Sequence, residues 1–195
     1  MEKNRLEAFS DGVLAIIITI MVLEIKVPHG SEWSNLYSLI PKFMSYLMSF
    51  LYVGIYWGNH HHLLHLAKKT NSKIMLANLN LLFWLSLIPF TTGWMGENHF
   101  ESNTVALYAV LLLLCGFAFF ILQKIIEKSL KDDAHFIKVM KILSYKAIIS
   151  MSTYAVAIPL AYYNSYISGL LILAIAILWI IPDKGVERAI ANLSN

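Results

Sequence analysis

Hydrophobic and polar positions divide this chain into long blocks: uncharged apolar runs of membrane-crossing length, separated by brief charged, polar or proline-bearing breaks. A crossing needs about 20 mostly apolar residues. Six spans meet that length. The first covers roughly 5–27 and closes at Pro28-His29-Gly30, and the second covers about 35–66, with Pro41 near its start and an overhang beyond Trp57. The third is about 73–95, the fourth about 102–128, the fifth 140–163 and the sixth 167–182, ended by Pro182-Asp183-Lys184-Gly185. A short turn, Asn164-Ser165-Tyr166, joins the last two. Pro89 lies in the outer half of the third span and is expected to kink it.

The first span has a sharper internal pattern. At about 100° per residue, Ile16, Ile20 and Leu23 share one stripe, with Phe9 and Val13 near its extension and Thr19 on its border. Asp11 falls about 140° from Ile16 on the same wheel and so points toward neighbouring helices. A carboxylate within a span is costly and needs a polar partner inside the bundle. Candidate partners lie downstream. Trp57, His61 and His65 are each four apart and share a face of the second helix, and Asn78 and Asn80 lie on nearly opposite faces of the third. Gly54 and Gly58 form a GxxxG spacing that permits close helix approach.

Composition fits a membrane class: 58% of residues are apolar and 14% charged, against about 45–50% and 25% in soluble domains. No second composition zone divides the chain, so residues 1–195 read as one domain. Thirteen of the fifteen Lys and Arg residues fall inside or at inner helix ends if the N-terminus is cytosolic, leaving Lys26 and Lys42 outside. Such positive-inside bias predicts an even number of spans, with both termini on the cytoplasmic side of the cell inner membrane. The basic residues flank apolar segments and form no basic domain, which argues against nucleic acid as a partner. Glu2, Glu7 and Asp11 and the lack of an A-x-A site argue against a cleaved signal peptide. Cys115 is the one cysteine, so there is no disulfide framework or CxxC knuckle.

Each candidate also has a plainer reading. An Ile/Leu stripe in a membrane helix ordinarily means packing or lipid contact. The run His60-His61-His62 points in three directions with no carboxylate or cysteine on the same face, so a hydrogen-bonding role for His61 is favoured over a metal site. No metal, cofactor or catalytic set is expected. Glu24 and Lys26 mark the membrane interface.

Together these residues resemble a known family. Arg5-x-x-x-Phe9-Ser10-Asp11 on a first helix is similar to the RxxxFSD signature of the family of the endosomal/lysosomal potassium channel, transmembrane protein 175. Trp57-x-Asn59-His60-His61 and the stretch from Asn78 through Ser86-Leu87-Ile88-Pro89-Phe90 also resemble that family's pattern. The last three helices match it only in number, length and orientation. The resemblance implies a six-helix repeat that forms a homotetramer, with the first helix lining a central pore. It implies a constriction of hydrophobic side chains at Ile16, Ile20 and Leu23, and a selectivity role for Thr19. It further implies a polar network of Ser10, Asp11, Trp57, His61 and Asn78, with His60 an equally allowed register.

The expectation is therefore an all-α polytopic membrane protein of six transmembrane helices, its pore lined by the first helix at an oligomer axis. It would pass potassium, and other monovalent cations, passively across the bilayer. The chain contains no TVGYG-like loop, so selectivity from stacked carbonyls is excluded. One chain with one lining helix cannot enclose a pore, so self-association about a closed axis is required. Two rival classes stay open. A proton-conducting or proton-gated channel would use the histidines. A secondary transporter would normally show an internal repeat and broken helices; neither is evident, although Pro89 and Pro159 keep it open.

Overall fold

The computed structural model describes residues 2–67, 70–129 and 134–180, with side chains from 139 onward in the last segment. The inner-side charges Lys68, Lys69, Lys131, Lys184 and Arg188, the Lys138 side chain and the Pro182–Gly185 break lie outside what it describes. Among the described residues the chain forms eight helices and no strand: α1 (Lys3–Leu23), α2 (Ser34–Tyr37), α3 (Ile40–Leu66), α4 (Ser72–Leu85), α5 (Ile88–Glu97), α6 (Ser102–Glu127), α7 (Ala134–Tyr163) and α8 (Ser165–Ile180). Among the described residues, four stretches are long and apolar enough to cross a membrane: Lys3–Leu23, Ser72–Glu97, Ser102–Glu127 and Val139–Tyr163. The apolar α8 is shorter.

Local chemistry sets the boundaries. Pro41 and Pro89 both occupy first-turn positions of their helices, where a missing N–H costs nothing because no partner exists for it there. The second long helix thus starts at Ile40 rather than near 35, after the separate turn of α2. Pro89 does not merely kink the third span. The span breaks, α4 ending at Leu85 and α5 starting at Ile88. Ser86 Oγ donates to the Phe83 carbonyl at 2.7 Å, and Leu87 N–H turns back to Trp84 O at 3.2 Å. The start of α4 is capped by Asn71 Oδ1, which accepts from Ile74 N–H at 2.9 Å. Asn164 Oδ1 caps α8 by accepting from Tyr166 and Ile167 N–H at 3.0 and 3.1 Å.

The path runs up and down between two ends. At one, Lys3 Nζ donates to the His65 carbonyl at 2.8 Å, fastening the start of α1 to the last turn of α3. At the other, Lys42 of α3 pairs with Glu97 of α5 at 3.1 Å. There α5 also presses against α3 at backbone distance. A Cβ on the buried Gly96 would stand 2.8 Å from Lys42 Cα and closer still to Ser45 Oγ, so only glycine fits. Trp33, Tyr37, Tyr162, Tyr163 and Tyr166 are exposed near this end, as expected of an interfacial aromatic belt.

Two apolar cores fill the bundle. One joins α1, α3, α4 and α6 through residues such as Leu14, Leu63, Leu81 and Leu122. The other gathers Tyr52, Tyr108, Tyr154 and Ile172. Several polar groups buried in the bundle are paired internally, as a medium without water demands, although Gln123 Oε1 is buried without a hydrogen-bond partner among the described residues. Ser49 Oγ and the Tyr108 hydroxyl are 2.9 Å apart, Tyr52 donates to the Ile172 carbonyl at 2.5 Å, and Tyr154 donates to Tyr52 Oη at 3.2 Å. Gln123 Nε2 ties α6 to α7 through Ser144 Oγ at 2.9 Å.

Candidate functional site

The first helix has two faces of opposite fate. Leu6, Ser10, Leu14, Ile17 and Met21 recur every three or four residues and are buried against the bundle. The face behind them carries Ile16, Ile20 and Leu23, which remain 58%, 43% and 75% exposed. Phe9, Gly12 and Thr19 are exposed along the same side, and Arg5 is exposed near its beginning. A continuous apolar stripe is thus left uncovered by the chain's own helices.

Thr19 Oγ1 donates its hydrogen to the Ile16 carbonyl, the i−3 acceptor, at 2.9 Å. Donating it commits the hydrogen and leaves the hydroxyl's lone pairs as acceptors on the exposed face. That is the polarity a cation needs.

Behind the stripe, the polar residues of α1 separate into two ties. Ser10 is fully buried, donates to the Leu6 carbonyl at 2.8 Å, and accepts from Asn78 Nδ2 at 2.9 Å. Asn78 Oδ1 in turn lies 2.6 Å from His60 Nε2. Because the Asn78 carbonyl oxygen can only accept, His60 Nε2 carries the hydrogen. This tie joins α1, α4 and α3 within the apolar core. The second tie is separate. Trp57 Nε1 donates to Asp11 Oδ1 at 3.0 Å, with Trp57 51% exposed and Asp11 half-buried.

His61 belongs to neither tie. Its ring is exposed and stacks on His65, with centroids 6.3 Å apart. Of the two registers open in the sequence, the structure places His60 on Asn78. The reason is directional: Trp57 and His61 share the face of α3 that borders α1, whereas His60 turns into the wedge between α1 and α4.

One feature was not read from the sequence. Ile16 and Ile20 also line one wall of a groove of about 560 Å³, closed on the other side by Pro89, Phe90, Gly93 and Trp94 of α5. Pro89 in the sequence predicts a kink; the break, and the docking of the broken segment beside the stripe, come from packing. Among the described residues, no group of three or more His, Cys, Asp or Glu side chains is placed to hold a metal ion.

Comparison with known proteins adds to this geometry. The model of the family described as endosomal/lysosomal potassium channel TMEM175 matches residues 5–89, which contain the stripe and both ties. A potassium channel of Chryseobacterium sp. (strain P1-3) is 46% identical over 196 residues, covering 97% of this chain and 98% of that protein. The human endosomal/lysosomal proton channel TMEM175 is 40% identical over 96 residues, covering 43% of this chain and 19% of that protein. In structure, the chain is similar to a lysosomal potassium-selective channel TMEM175 homolog from Chamaesiphon minutus. That likeness has a TM-score of 0.82 at 29% identity and covers 92% of this chain and 96% of that one.

Proposed function

The chain belongs to the TMEM175 family, and on that premise we propose that it is a potassium channel whose pore is lined by α1 from several copies. The observation that carries this reading is the exposed apolar stripe of α1, backed by a helix face fully anchored in the bundle. Six crossings, α1, α3, the broken α4–α5 pair, α6, α7 and α8, make one domain with both termini on the cytoplasmic side of the inner membrane. Four copies around a closed axis bring four stripes together. Ile16, Ile20 and Leu23 then form a hydrophobic neck that gates by dewetting, and Thr19 offers acceptor oxygens to an ion that has shed part of its water. Potassium sheds water more readily than sodium, so the preference is moderate. The ties of Ser10, Asn78 and His60, and of Asp11 and Trp57, hold α1 in register and do not touch the ion. Arg5 and Phe9 complete the motif at the entrance.

Purified protein in liposomes tests this. A potassium gradient should drive passive, electrogenic flux that passes potassium faster than sodium. Saturable exchange coupled to a second ion would instead identify a carrier. A second reading, proton conduction, draws on the name of the human relative. The same liposomes loaded with a pH-sensitive dye decide it: acidification on imposing a potential, with no potassium in either compartment, favours protons.

A further inference from the structure

We propose that His61 and His65 form a two-histidine chelate for a divalent transition-metal ion such as Cu²⁺, Ni²⁺ or Zn²⁺, at the Lys3 end of the bundle. This inference is independent of the channel reading. The two residues are one turn apart on α3, the i, i+4 spacing by which a single helix presents two imidazoles to one ion. Their rings are already side by side, with centroids 6.3 Å apart and planes inclined by 26°. Both are exposed, and the buried tie that would otherwise occupy a histidine takes His60 instead. Ligation needs each ring nitrogen about 2.0–2.1 Å from the metal. Rotation of exposed side chains brings the nitrogens inward without disturbing the core.

The neighbouring groups define what kind of site this is. His62 follows His61 directly, turns to another side of α3 and meets the His61 ring edge-on at 5.9 Å. Since no third His, Cys, Asp or Glu completes a cluster among the described residues, water fills the remaining positions. The site is therefore open and exchangeable, unlike a closed four-ligand structural site. Imidazole donors select the late first-row metals, with Cu²⁺ held most tightly. Mg²⁺ and Ca²⁺ prefer oxygen ligands and are excluded. Lys3 lies close by, but its ammonium is engaged by the His65 carbonyl at 2.8 Å and faces Glu7 at 3.9 Å. A metal held here would stiffen the turn of α3 from which the start of α1 is suspended.

The test is calorimetric titration of tag-free protein with NiCl₂, ZnCl₂ and MgCl₂, comparing the native chain with His61→Ala, His65→Ala, His62→Ala and the His61/His65 double variant. The expected result is one Ni²⁺ or Zn²⁺ per chain and no Mg²⁺ heat. Losing one ligand should weaken binding at least as much as losing an outer partner does, about tenfold or more, with His62→Ala unchanged. His61→Gln and His65→Gln repeat the comparison with polar replacements, and an unaltered elution volume confirms that each variant is folded. Equal binding by the native chain and the double variant, or an equal loss in His62→Ala, overturns the proposal.

Discussion

Asn78 Nδ2 donates to Ser10 Oγ at 2.9 Å, across 68 residues of chain, and both side chains are wholly buried. This bond fastens α4 to the back of the first helix, and the other end of the same amide holds His60. One carboxamide thus sets the position of α1 relative to two neighbours.

Asn78→Ala should lower thermal stability in detergent by about 1–2 kcal/mol, the scale of interhelical hydrogen bonds in membranes. His60→Ala should cost a similar amount, and the double variant less than the sum, because the two share one bond. His61→Ala should leave the melting temperature where it was. A loss in His61→Ala as large as that in His60→Ala would reverse the register assigned here.

Ile16→Asn or Leu23→Asn places a polar group on the exposed stripe of α1 without touching the buried face. In liposome flux and single-channel recordings, either change should wet the neck, raise conductance and weaken discrimination between potassium and sodium. Unaltered current and selectivity in both variants would remove the stripe from the pore.

Asp11→Ala strands the Trp57 N–H, which now donates to Asp11 Oδ1 at 3.0 Å. A fully buried charge pair would cost about 3–5 kcal/mol on losing one partner, but Trp57 is 51% exposed. A loss of about 1–2 kcal/mol is therefore expected, seen as earlier melting and less assembled oligomer by light scattering. Asp11→Asn, which keeps an acceptor oxygen, should recover most of it. Normal stability combined with a shifted reversal potential would put Asp11 in the ion path.

Thr19→Val keeps the shape and removes the oxygen. With the hydroxyl hydrogen already given to the Ile16 carbonyl, the change deletes only an outward-facing acceptor and a local bond. The reversal potential under opposed potassium and sodium gradients should move toward the non-selective value, while Thr19→Ser stays near the native one. If Thr19→Val leaves it unmoved, the residue serves packing alone.

How much of this was legible in the sequence varies residue by residue. Ser10, Asp11 and Asn78 stand out because polar side chains inside apolar spans must find partners, and all three do. The exposed stripe was legible for the same geometric reason: residues at helical spacing share a face whatever surrounds them. The histidine register was not. Trp57 and His61 occupy one face of α3, and nothing in their spacing tells that the Asn78 partner approaches from a third helix. Pro89 announced a disturbance, but whether it bends or breaks the span depends on Ser86 and Leu87 closing the end of α4. The groove beside Ile16 and Ile20 depends on where the broken segment docks, which is a property of packing.

The bare contact at Gly96 has a mechanical consequence. With no side chain between them, and with Lys42 clipped to Glu97 beside the contact, the ends of α3 and α5 act as a welded collar that cannot slide or tilt independently. The compliant joint lies elsewhere, at residues 86–87, where the helical ladder is interrupted. Strain arriving at the opposite end, where Lys3 hangs the first helix from His65, has nowhere to be absorbed at the collar. With α1 itself held by the Ser10–Asn78 and Asp11–Trp57 ties, that strain passes into α4 and reaches the interrupted ladder at residues 86–87, so the broken helix takes up what the anchored one cannot.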